Sequence, residues 1–152
     1  MSAIRLAVLP ALLGTLLLTV AGVASAQLDQ ARAEPNLEKR SKLALDNAVL
    51  AFKAARAAYD AGETASVAAK AGEIEESVDL AYTSLIATGK NPRKSPRWFK
   101  HAEMETRELS RRLEDFEQQM SFNDRGILDK AKAKVQQVHD DLLTGLMEGK
   151  KK

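Results

Sequence analysis

The chain has 152 residues, with 23 Lys and Arg against 21 Asp and Glu, and it contains no Cys. The missing cysteine closes disulfides, thiolate metal sites and anchoring through a lipidated cysteine, and the even charge balance excludes a globally basic nucleic-acid binder. Beyond position 26, Ala, Leu, Glu, Lys and Arg dominate, Gly and Pro are confined to a few places and β-branched residues are sparse, which is a helical composition.

The chain opens with one positive charge at Arg5, an apolar run over 6–23, and then Ala24, Ser25 and Ala26 before Gln27. Small residues at Ala24 and Ala26 around a spacer are what signal peptidase accepts, so 1–26 reads as an export signal cleaved after Ala26. An uncleaved anchor is the alternative, because an apolar run of this length just spans a bilayer. Pro10 and Gly14 inside the run, and no basic cluster after it, favour cleavage. Cleavage would remove Arg5 alone among the charged residues, leave no membrane span and place the product in the periplasm or outside the cell. Residues 27–34 are expected to be a flexible lead into the folded part.

Four helices are expected over 35–148, with 149–152 as a basic tail. Pro35 suits the first turn of a helix and Gly62 a left-handed close; between them Leu45, Ala48, Phe52, Ala55 and Tyr59 recur at gaps of three and four, one face of a helix. Thr64 is the expected cap of the second helix, whose stripe is Val67, Ala71, Ile74, Val78, Ala81 and Leu85 before Gly89 stops it. A link over 90–96 follows. Ser95 as cap and Pro96 in the first turn start the third helix, in which Phe99, Ala102, Thr106, Leu109, Leu113, Phe116 and Met120 make the cleanest heptad stripe. Its outer face pairs Glu103 with Arg107 and Glu108 with Arg112, each worth about 0.2–0.5 kcal/mol. Asn123 or Asp124 caps the fourth helix, lined by Leu128, Ala131, Val135, Val138 and Leu142.

Segments of about 25 residues, each about 37 Å long and joined by short links, point to an all-α, antiparallel up-down-up-down four-helix bundle. A three-helix bundle is the alternative if Gly72 splits the second segment. Such a fold is expected to hold together by apolar seams with no polar chemistry at its centre.

The architecture resembles the four-helix periplasmic b-type cytochromes, exported bundles with a Pro-containing link between their second and third helices. That resemblance would imply haem held by a Met on the first helix and a His near the end of the last. His139 matches in placement, but 35–61 contains neither Met nor His, so no haem is expected and His139 reads as a flank residue. By leader and helix patterning the chain also resembles exported all-helical bacterial proteins, a class defined by architecture from which no functional residues carry over.

Di-iron bundles need Glu-x-x-His on two helices, and neither His101 nor His139 has Glu three positions before it. His101 with Glu105, and Glu75 with Glu76 and Asp79, fall on outward faces and read as solvated charge. There is no G-x-S-x-G, no glycine-rich phosphate loop and no nucleophile beside a base; no catalytic residue, cofactor or metal is expected.

Two features stand out from a plain bundle. Lys90, Arg93, Lys94, Arg97 and Lys100 surround Trp98 and Phe99 with no acid over 90–102, either a candidate grip on an anionic envelope surface or an aromatic lid with idle cations around it. On the first helix Leu43, Leu50, Ala54 and Ala57 form a strip opposite the Leu45 and Phe52 seam, where a surface helix should be polar; it is a candidate interface for another protein or a second copy. The expected function is a non-enzymatic exported module acting by protein contact, as interaction partner, scaffold or chaperone. The alternatives are a carrier of metal, haem or an anionic small molecule between helices, and a peripheral binder of anionic lipid.

Overall fold

The computed structural model describes residues 21–149, with side chains from Ala26 onward. Most of the expected leader, and Lys150, Lys151 and Lys152 of the expected tail, lie outside the described residues. The described chain is all-helical: α1 (Ala21–Ala33), α2 (Leu37–Asp60), α3 (Thr64–Ala87), α4 (Arg97–Gln119) and α5 (Asp129–Glu148), with a 3-10 turn over Arg125–Leu128 leading into α5.

The punctuation explains the boundaries, with shifts of a residue or two. Asn36 caps α2, its side chain accepting the Lys39 N–H at 2.9 Å, so Pro35 lies before the cap and not inside the first turn. At the other end Gly62 takes φ 76° and the Glu63 N–H bonds the Ala58 carbonyl at 2.9 Å, a left-handed close that reverses the chain into α3. Neither Thr64 nor Ser95 caps. Thr64 is already the first residue of α3, and Ser95 is drawn into a turn whose hub is Asn91. The Asn91 carbonyl accepts the N–H groups of Lys94 and Ser95, and its side chain accepts that of Arg93. The α4 helix therefore begins one residue after Pro96. Ahead of α5, Asp124 makes no cap bond and the 3-10 turn intervenes. Gly72 does not break α3; its missing Cβ faces open space.

The α2–α3 and α4–α5 hairpins stack with α4 beside α2 and α5 beside α3. Consecutive helices α3 and α4 touch lightly, and α2 does not meet α5. The arrangement follows from the link over 88–96, which carries the chain from the end of α3 to the foot of α2. There Lys90 pairs with Glu38 at 2.5 Å. At the opposite end Tyr59 ties α2 to the α4–α5 turn: its hydroxyl accepts the Ser121 N–H at 2.8 Å and donates to Asp124 at 3.2 Å. The stripe residues expected on α3, α4 and α5 are all buried, as are Leu45, Ala48, Phe52 and Ala55 of α2, with Tyr59 half-buried beside them.

Two expectations are corrected. Residues 27–34 are not a loose lead: α1 runs through Ala33 and packs along α2 and the edge of α3, burying Leu28 and Ala31. The reason is a second contact face on the α2–α3 hairpin, which a short helix with one Leu and one Ala at a spacing of three is enough to occupy. Nor are the seams wholly apolar. Asn47 and Ser77 are fully buried, Asn47 Nδ2 donating to Ser77 Oγ at 2.8 Å and to Glu73 Oε1 at 3.1 Å. Glu73 in turn pairs with Lys70 at 2.9 Å, each side chain only 10% exposed. Leu28 of α1 borders the same groove as Lys70 and Glu73, so α1 encloses positions that face water when four helices pack alone. Asn47 Oδ1 has no hydrogen-bond partner.

Candidate functional site

One end of the fold, where α3 stops and α4 starts, carries a concave surface. The Asn91 turn seats Pro92 on α5 because Gly145 has no side chain; a Cβ there would stand 3.2 Å from Pro92 Cγ. Phe99, in the first turn of α4, is buried beneath the link. Between these lies a cavity of about 250 Å³ walled by Tyr82 and Ile86 of α3, Pro92, Phe99, and Leu142 and Gly145 of α5, with Lys90 and Asp141 as its charged lining. Burial, and then the carboxylate of Asp141, push the Tyr82 hydroxyl above its ordinary value of 10.0, so it stays protonated and available as a donor.

The cations expected to act together are divided in their tasks. Lys90 is engaged by Glu38, and the Arg97 guanidinium stacks 5.1 Å from the Trp98 ring centroid. Arg93, Lys94 and Lys100 are exposed and make no ion pair among the described residues. Trp98 is half-buried, packed against the core and edge-on to His101 at 6.3 Å. The deep plug is Phe99, at 2% exposure.

The strip on α2 is divided as well. Leu43 is half-buried against the core cluster that contains Ala31 of α1, Ala54 is half-buried, and Leu50 at 40% and Ala57 are exposed. Asp46 and Lys53 flank Leu50, Asp46 already bonded to Lys42 at 2.7 Å.

His139 lies on the α4–α5 flank, 15% exposed, with Nε2 3.1 Å from Glu103 Oε1 and Nδ1 3.2 Å from Asp140. Glu103 also reaches Arg107 at 3.5 Å, so its charge is shared. Glu76 and Asp79 are tied to Arg32 and Lys134 respectively. No group of three or more His, Cys, Asp or Glu side chains converges to hold a metal ion among the described residues. His101 Nε2 is buried without a partner and Glu105 does not reach it.

Sequence reasoning missed the Asn47 cluster, the Tyr59 tie and the cavity that Tyr82 and Asp141 both line. A signal existed for the first: Asn47 and Ser77 sit next to the stripe positions Ala48 and Val78, where a second packing face would enclose them. Comparison of the chain with protein families, curated proteins and solved structures finds no match. No helix among the described residues is long and apolar enough to cross a membrane.

Proposed function

We propose that this is an exported helical protein that acts by protein contact and carries out no chemistry of its own. Residues 1–26 serve as a cleaved export signal, and α2–α5 work as an up-down-up-down four-helix bundle with the part of α1 that cleavage leaves, 27–33, as a fifth, accessory helix. Contact is made through the α2 strip, most simply with a second copy of the chain. The observation that supports this is Leu50, 40% exposed between half-buried Leu43 and the small Ala54 and Ala57 on one side of α2. Alanines let two helix backbones approach closely, and an antiparallel pair centred near Leu50 sets Asp46 of each copy against Lys53 of the other, a self-complementary arrangement of the kind twofold dimers use.

Sedimentation equilibrium of the wild type and of Leu50→Glu tests the reading. A wild-type dimer that becomes a monomer on substitution is expected; a wild type that stays monomeric at high concentration rejects it. Leu43→Glu is the weaker probe, because Leu43 also packs on the core and its loss loosens the fold. Export is checked separately by the mass of the protein recovered from its own compartment, which should begin at Gln27.

A further inference from the structure

The cavity between the ends of α3 and α5 takes no part in contact through α2, and the character of its lining selects a class of ligand. Ile86, Pro92, Phe99 and Leu142 make it largely apolar. An apolar cavity of about 150 Å³ holds benzene, so about 250 Å³ accommodates one substituted ring or a short alkyl chain. The charged side chains in the lining, Lys90 and Asp141, are not equivalent. The Lys90 ammonium donates to Glu38 Oε1 at 2.5 Å, so that pair leaves no net charge. Asp141 is exposed and makes no ion pair among the described residues, and the Tyr82 and Thr144 side chains share its wall. Burial, and then the Asp141 charge, raise the Tyr82 hydroxyl above its ordinary value, which sets the carboxylate within electrostatic reach of the phenol. The lining therefore carries the net charge of a single carboxylate. That is too little for a hard metal ion, which takes about six or more oxygen ligands, whereas an organic ammonium needs one counter-charge and a neighbouring acceptor.

We propose that this cavity binds a small amphipathic monocation, its ammonium at Asp141 and its apolar body against Ile86, Pro92 and Phe99. The Tyr82 and Thr144 hydroxyls offer lone pairs to the N–H groups that Asp141 leaves over. A second positive charge on the ligand would find no counter-charge in the wall. An anion would meet Asp141 with nothing to offset it, because Glu38 already holds Lys90.

The test is NMR titration of the isotope-labelled chain with 2-phenylethylammonium, 2-phenylethanol and 3-phenylpropanoate, which share a body and differ in charge. The amides of Ile86, Gly89 and Gly145 report on the cavity. The ammonium should shift them saturably, the alcohol should bind about tenfold more weakly, and the carboxylate should leave them unmoved; this series needs no substitution. Asp141→Asn, at an exposed position, should keep the melting temperature, bring the ammonium down to the affinity of the alcohol and leave the alcohol as before. Asp140→Asn removes an equal charge from the adjacent residue, which contacts His139 and lies outside the wall, and should leave ammonium binding intact. Added salt should weaken the ammonium and not the alcohol. The proposal is overturned by no saturable shift with the ammonium, by a carboxylate that binds as tightly, or by a folded Asp141→Asn protein that binds the ammonium as the wild type does. None of these results bears on contact through α2, which sedimentation reads independently.

Discussion

Phe116 of α4 packs against Phe52 and Tyr59 of α2, where the two hairpins stack. Its ring, 2% exposed, meets Phe52 edge-on at 5.9 Å and 89°, and Tyr59 at 5.8 Å and 77°; Arg56 lies 5.3 Å from its centroid. Each edge-to-face contact is worth about 0.5–1.5 kcal/mol beyond the area it buries, and a partly exposed cation over a ring about 0.5–1 kcal/mol. Phe116→Leu keeps most of the volume and forfeits these aromatic contributions, so it should cost about 2 kcal/mol; Phe116→Ala adds a void and should cost about 3–5 kcal/mol. Urea unfolding measures both. At a slope of about 1–3 kcal/mol/M, Phe116→Leu should lower the midpoint by about 1 M without changing the slope. A double-mutant cycle with Phe52→Leu should return a coupling of at least about 0.5 kcal/mol. Zero coupling, or a Phe116→Leu loss below about 0.5 kcal/mol, would show that the rings pack as generic apolar bulk and that their edge-on geometry contributes nothing.

Other outcomes follow from the same structure. Tyr59→Phe removes the hydroxyl that accepts from Ser121 and donates to Asp124; it should cost about 1–3 kcal/mol and speed amide exchange at Ser121 before it does so in α2. Lys70→Met leaves the Glu73 carboxylate enclosed without its cation and should cost about 3 kcal/mol, the low end for buried pairs because both groups still touch water; Lys70→Met with Glu73→Leu should recover most of that loss in thermal melts. Hydrogen bonds from Arg111 and then Arg112 hold the Glu108 carboxyl at about 2, down from its ordinary 4.5. A depressed carboxylate stabilises the fold above its unfolded value, and that contribution fades as pH falls from about 4.5 toward 2. Because Glu108 faces water the effect is small and screened by salt. Carboxyl-detected NMR at low and high ionic strength should show its titration near 2 moving up with salt; a titration at its ordinary value at low salt contradicts the geometry.

Much of the helical content could be read without coordinates. Val67 to Leu85, Phe99 to Met120 and Leu128 to Leu142 recur at gaps of three and four, and every residue of those stripes is buried. Helix periodicity is a local property, fixed by the geometry of a single turn. Caps were less legible: Ser95 has a capping side chain, yet it is folded into the Asn91 turn and α4 starts after Pro96, which leaves Ser95 one residue ahead of the cap position. Of the residues singled out as candidates, Lys90 and Trp98 read one way as letters and another in space. Lys90 is tied to Glu38 in a helix 52 residues distant, and Trp98 leans on the core while Phe99 fills it.

Amino-acid order alone determined that this protein is helical, where its reversals fall and which face of each long helix seeks burial, because each depends on neighbours a few residues apart. Only the tertiary structure decided that α4 lies on α2 and α5 on α3, that α1 docks where a loose lead was expected, that Asn47, Lys70 and Glu73 are enclosed, and that Tyr82 and Leu142 share a cavity with the link. Those outcomes depend on contacts between segments far apart in the chain, and the same apolar stripes are compatible with more than one order of helix pairing. Link length and the missing side chain of Gly145, which lets Pro92 seat on α5, selected the order observed.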